Sequence, residues 1–131
     1  MMISTKGRYA LMIMSYLASH QDEGLVSLKD IAESENIGIK YLEIIISALN
    51  KNELVESVRG KNGGYRLKHN AEEYTILDIL TVAEGGIAPV ACVDESFACE
   101  NKISCKSHKL WTELDGVISD FLSKKTLADI M

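Results

Sequence analysis

The chain has 131 residues, 47% of them hydrophobic and 25% charged, with a formal net charge of −5. That length supports one modest core or a small domain with an appended helix, and the composition is that of a folded globular protein and not of a disordered tail. The opening segment MMISTKGRYA lacks the apolar stretch of a secretory signal and no apolar run is long enough to span a bilayer, so the expected location is the cytoplasm, with no membrane partner.

The acidity is unevenly distributed. Residues 1–70 carry a balance of +1 and residues 71–131 a balance of −6, while 57–69 (SVRGKNGGYRLKH) holds four basic residues and no acid. Binding to phosphates depends on local basic surface more than on total charge, so a nucleic-acid partner is compatible with this chain.

In chain order, Ser4 or Thr5 is placed to cap a first helix whose apolar residues Ala10, Ile13, Met14, Leu17 and Ala18 recur at helical spacing. Asp22, Glu23 and Gly24 break it. Ser27, with Asp30 three residues on, has the pattern of a capping box and predicts a short helix from Leu28 to Glu35. Asn36-Ile37-Gly38 then reads as a tight turn, and Ile39 to Lys51 as a second helix facing inward through Leu42, Ile45, Ile46 and Leu49. Two helices joined this way make a helix-turn-helix.

Leu54 to Arg59 and Tyr65 to Lys68 are β-type runs around Gly60-Lys61-Asn62-Gly63-Gly64, which predicts a hairpin. A hairpin at this place is the wing of a winged helix. Thr75 and Asp78 repeat the capping pattern before a helix ending at Gly85-Gly86. Next, the chain loses periodicity. A last long helix is expected from Ser107 to Lys124, its wide apolar stripe including Leu110, Trp111, Leu114, Val117, Ile118, Phe121 and Leu122, before Thr126 caps a final short turn. With little domain left to cover it, this helix is assigned to a homodimer interface through Leu110, Trp111, Leu114, Val117, Ile118 and Phe121. The expected organisation is a DNA-binding unit with linking helix over 1–86, and a cysteine loop with dimerisation helix over 87–131. The fold class is mainly α with a small β-hairpin wing.

All three cysteines fall in the aperiodic segment, where Cys92, Cys99, Cys105 and His108 are spaced C-x6-C-x5-C-x2-H. Four soft or borderline donors in one loop can hold a metal ion or an iron–sulfur cluster, and on spacing alone tetrahedral zinc is the default. Cys105 and His108 stand one helical turn apart and so can face one site. On the reading head, the exposed early residues of the second helix, Ile39, Lys40, Tyr41 and Glu43, can reach base edges or phosphates. Arg59 and Arg66 flank the wing turn with Lys61 at its tip and Gly63 beside it, a set suited to a minor groove and its phosphates. Lys6, Arg8 and Tyr9 at the start of the first helix, and Ser27 at the start of the next, add candidate phosphate contacts. A thiol redox enzyme using Cys92 or Cys105 is the competing class. No C-x-x-C, cofactor motif or catalytic triad supports it, and the chain is not read as an enzyme.

Five stretches, STKGRYAL (Ser4 to Leu11), YLE (Tyr41 to Glu43), LV-x-SVRG-x-x-GGY (Leu54 to Tyr65), C-x2-H-x-LW (Cys105 to Trp111) and TLADIM (Thr126 to Met131), together resemble the Rrf-two-type winged-helix repressors. Within that family the likeness is to the iron–sulfur cluster regulators. It implies a 2Fe–2S cluster ligated by Cys92, Cys99, Cys105 and His108, with zinc as the alternative occupant, and a homodimer on a double-stranded DNA operator. It further implies repression, with genes of iron–sulfur cluster assembly as the expected targets. A related regulator sensing nitric oxide, redox state or zinc through the same cysteines is the alternative. Lys40 and Ile44 depart from the small polar or amide residues common in relatives, so the bases read can differ.

Overall fold

A computed structural model of the chain describes residues 3–93 and 105–131. Helix α1 (Thr5–Ser19) runs through the middle of the fold, because Gly7, Ala10, Ile13, Met14, Leu17 and Ala18 give it a continuous buried face. It packs on α2 (Leu28–Glu35), α3 (Ile39–Lys51) and α4 (Ile76–Glu84). The Ser27 hydroxyl accepts the Asp30 amide at 3.1 Å to start α2, and the Thr75 hydroxyl accepts the Asp78 amide at 3.0 Å to start α4. Asn36, left-handed at φ 53°, ends α2 and aims the chain into α3. The helix-turn-helix therefore forms with the bounds that the periodicity predicts. Capping boxes with both halves in place occur at Asn70/Glu73 and Thr126/Asp129, around the 3-10 turns Ala71–Glu73 and Leu127–Asp129.

Strands β1 (Val55–Val58) and β2 (Gly64–Leu67) form an antiparallel hairpin in register Val55–Leu67 to Val58–Gly64, within a residue of the expected runs. One pairing is not legible locally. Val26, before α2, bridges Tyr65 on β2 through reciprocal bonds of 2.9 and 2.8 Å. Gly64 is what allows that approach, since a Cβ there would lie 2.5 Å from the Val26 carbonyl oxygen.

Tyr74 ties the base of the wing to α4. It is 3% exposed, and its hydroxyl donates to the Leu54 carbonyl at 2.7 Å while accepting the Lys68 and His69 amides at 3.0 Å each. The final helix, α5 (His108–Lys124), lies on α4. Past it, the chain returns to the main core. Leu127 is fully buried there, the Leu127 amide donates to the Tyr74 carbonyl, and the Ile76 amide to that of Lys125, each at 2.9 Å.

The first helix departs from expectation at its cap. Ser4 occupies the N-cap position but makes no side-chain bond to its own helix. Its hydroxyl and its amide instead donate to the carboxylate of Glu84, the last residue of α4, at 2.8 and 2.9 Å. Ser4 is thus held by an acceptor from 80 residues away, without capping the first-turn amides of α1.

Candidate nucleic-acid interface and cysteine loop

On α3 the buried residues Leu42, Ile45, Ile46 and Leu49 leave Ile39, Lys40, Glu43 and Ile44 on the solvent face, as expected of a reading helix. Tyr41 is half-buried and meets Tyr9 of α1 edge to face, with ring centroids 5.6 Å apart. The start of α1, where Lys6 is half-buried and Arg8 exposed, is thereby held against the reading helix. Ser27 is half-buried and its hydroxyl already serves as the α2 cap.

The wing separates its cations into two kinds. Arg66 is ion-paired with Glu56, its direct cross-strand partner, so part of its charge is spent within the hairpin. Arg59 and Lys61 are exposed and have no ion-pair partner among the described residues. Gly63 has a conformational task of its own, because a Cβ there would collide with the Val58 carbonyl.

Among the four expected ligands, Cys99 lies outside the described residues. Cys92 is half-buried on the turn Ala91–Val93, and that turn packs against α5, the helix His108 begins. Cys105 is exposed, and its thiol is held below its ordinary pKa by hydrogen bonds from the Ser107 side chain and from the Ser107 and His108 backbone. A thiolate is the ligating form. His108 carries the most telling atom, for its Nδ1 is buried and has no hydrogen-bond partner among the described residues. A buried imidazole nitrogen without a partner is costly, and coordination is one way to satisfy it. Among the described residues no three His, Cys, Asp or Glu side chains converge on one point. Cys92, Cys105 and His108 thus fit a metal or cluster in the kind of donor they offer.

Helix α5 divides its apolar residues between two faces. Ile118 and Leu122 turn inward onto the small cluster of Ile76, Leu80 and Ile87. Leu110, Leu114, Val117 and Phe121 stay 38–66% exposed and recur at alternating spacings of four and three, the a/d period of a coiled-coil seam. Trp111 is half-buried. The single wide stripe expected from the sequence is therefore two stripes, one of which the chain covers itself. Sequence reasoning also missed Glu84, whose grip on Ser4 connects the end of α4 to the α1 start. An exposed-looking glutamate at a helix end carries no local signal of such a role.

A helix-turn-helix with a wing, an uncommitted reading face and free wing cations define a winged-helix transcriptional regulator. Residues 3–131 match the Rrf2 family, described as iron-dependent transcriptional regulators, and the chain belongs to that family. It is 39% identical over 131 residues to the HTH-type transcriptional regulator IscR of Serratia proteamaculans (strain 568), covering the whole of this chain and 79% of that protein. Among solved structures, CymR, the global cysteine regulator of B. subtilis, matches with 39% identity and a TM-score of 0.80, over 99% of this chain and 95% of that one. The IscR of T. potens matches with 35% identity and a TM-score of 0.76, over 99% and 85%. These relatives are regulators and not enzymes, and they bear out the resemblance drawn from the motifs. Among the described residues no helix is long and apolar enough to cross a membrane.

Proposed function

We propose that the chain is a homodimeric repressor that binds a two-fold DNA operator and reports iron–sulfur status through Cys92, Cys99, Cys105 and His108. The proposed targets are genes of iron–sulfur cluster assembly. The observation carrying the metal half of this reading is the buried Nδ1 of His108, which has no partner among the described residues and lies three residues after a thiol biased toward thiolate. A 2Fe–2S centre at these residues would supply an iron- and sulfide-dependent state, with a potential raised by imidazole in place of one thiolate. Double-stranded DNA would meet α3 and the wing through Lys40, Glu43, Arg59 and Lys61, while the α1 start adds Lys6 and Arg8. The open seam of Leu110, Leu114, Val117 and Phe121 pairs with its copy in the second subunit. Division into a reading unit over 1–86 and a sensing and dimerising unit over 87–131 belongs to the same proposal.

Communication between the two is carried by α4. Its last residue holds Ser4, and Ile87, three positions on, sits against Ile76 and Leu80 on the way to Cys92. Such a link changes DNA affinity only if the two states of the cysteine loop favour different placements of α4.

The test is anaerobic purification, a visible spectrum, and assays of iron, sulfide and zinc on one sample. Absorption from about 320 to 600 nm with about two iron and two sulfide per chain is expected of the 2Fe–2S reading, and His108→Ala should alter that spectrum. Colourless protein with one zinc per chain would make the loop structural. Equal binding of loaded and stripped protein to every operator would remove the sensing role, and a response to nitric oxide or peroxide alone would favour the alternative signal.

A further inference from the structure

Ile44 has no task in the fold. On α3 the residues that build the core, Leu42, Ile45, Ile46 and Leu49, are at most 1% exposed, whereas Ile44 is 57% exposed among Lys40, Glu43 and Ser47. A large aliphatic side chain left open on the solvent face of a reading helix gains nothing from water. It also cannot donate or accept a hydrogen bond. In the major groove the one apolar group presented by a base edge is the 5-methyl of thymine. We propose that Ile44 reads a thymine methyl in each half-site, a specificity role that rests on the DNA-binding reading above.

Three features of the molecule support that occupant. Lys40, one turn earlier on the same face, supplies the positive charge that draws this surface to a phosphate or guanine. Arg59 and Lys61 on the wing that follows α3 are exposed cations with no ion-pair partner among the described residues, so the same reading head offers charge that suits a polyanion better than an apolar protein partner. Isoleucine in a helix is also nearly confined to one χ1 rotamer, so holding it against a methyl group costs little further entropy. Glu43 beside it can accept from a cytosine amino group and repels a misplaced phosphate. Together these residues predict a half-site with thymine next to a C·G pair.

The experiment begins with the anaerobically purified full chain and a random-sequence duplex library, from which bound sequences are selected. Each thymine of the recovered site is then replaced in turn by deoxyuridine, which removes the methyl and leaves pairing unchanged. One position per half-site should weaken the native protein about fourfold, the effect of one buried methyl-sized group. Ile44→Ala and Ile44→Gln should bind thymine and uracil there equally, with circular dichroism confirming the fold. A recovered site with no uracil-sensitive position, or sensitivity undiminished in both Ile44 variants, would overturn the inference and leave DNA binding standing. Sensitivity that vanishes in Ile39→Ala instead would also overturn it. A library from which no sequence is enriched would overturn both.

Discussion

Replacing Glu84 by alanine tests how α1 is anchored, and the geometry fixes both size and sign. The carboxylate accepts hydrogen bonds from the Ser4 amide and hydroxyl at the start of α1. Losing these exposed hydrogen bonds to a carboxylate costs about 1 kcal/mol, and losing a negative charge near a helix N-terminus adds about 0.5 kcal/mol. Against this, Glu84 ends α4, where its charge opposes that helix's own dipole, and its removal returns about 0.5 kcal/mol. Glu84→Ala should therefore destabilise by about 1 kcal/mol, a fall in Tm of about 3–5 °C for a chain of this size.

Gly7 turns the same contact into a sharper test. It is buried inside α1, and a Cβ there would fall on the Glu84 carboxylate. Gly7→Ala gains about 1 kcal/mol of helix propensity but forces the carboxylate away, so in the native background it should be neutral or destabilising. In the Glu84→Ala background the obstruction is gone, and the same change should stabilise by about 1 kcal/mol. Urea and thermal unfolding of the four proteins at one fixed concentration gives the coupling directly. If Gly7→Ala is equally harmful in both backgrounds, the obstruction is not Glu84, and the nearby Ile3 side chain, 3.1 Å from the added Cβ, takes its place.

Tyr74→Phe should cost about 2 kcal/mol, because it strands the Leu54 carbonyl and the Lys68 and His69 amides; faster hydrogen exchange at those amides is the check, and unchanged exchange would refute it. Val117→Asp should give a monomer by sedimentation, since it places a charge in the open α5 seam, and a persisting dimer would move the interface elsewhere. Arg59→Ala should weaken binding on all DNA sequences alike and lower the salt slope by about one, whereas an unchanged slope would show the wing to be idle.

What could be read in the sequence was what is encoded locally. The bounds of α2 and α3 follow from hydrophobic period and turn residues, and the wing follows from two β-type runs around glycines. The cysteines and His108 stood out because no other cysteine competes with them. Contacts made between distant parts of the chain were not legible. Val26 on Tyr65, Ser4 on Glu84 and Leu127 in the core each join segments whose local sequence is ordinary. Likewise, α5 shows one wide apolar stripe, and only the placement of α4 decides that Ile118 and Leu122 face inward while Val117 and Phe121 do not. Arg66 reads as a free wing cation until the strand register sets it opposite Glu56.

In the proposed switch, α4 has two routes by which the cysteine loop can act on the reading head, and they differ in stiffness. One is the apolar packing of Ile87 on Ile76 and Leu80, all of them buried. Opening a void there would cost several kcal/mol by the usual penalty for core cavities. The other is the solvent-accessible grip of Glu84 on Ser4, worth about 1 kcal/mol as exposed hydrogen bonds. Coupling between sites is typically about 1–3 kcal/mol, which the polar contact can supply and the core contact would exceed. The packed route is therefore suited to moving α4 as a body, and the polar grip to yielding. Beside that grip lie Lys6, Arg8 and Tyr9, and through the Tyr9–Tyr41 contact the reading helix itself, so the softest joint in the path adjoins the surface proposed to touch DNA.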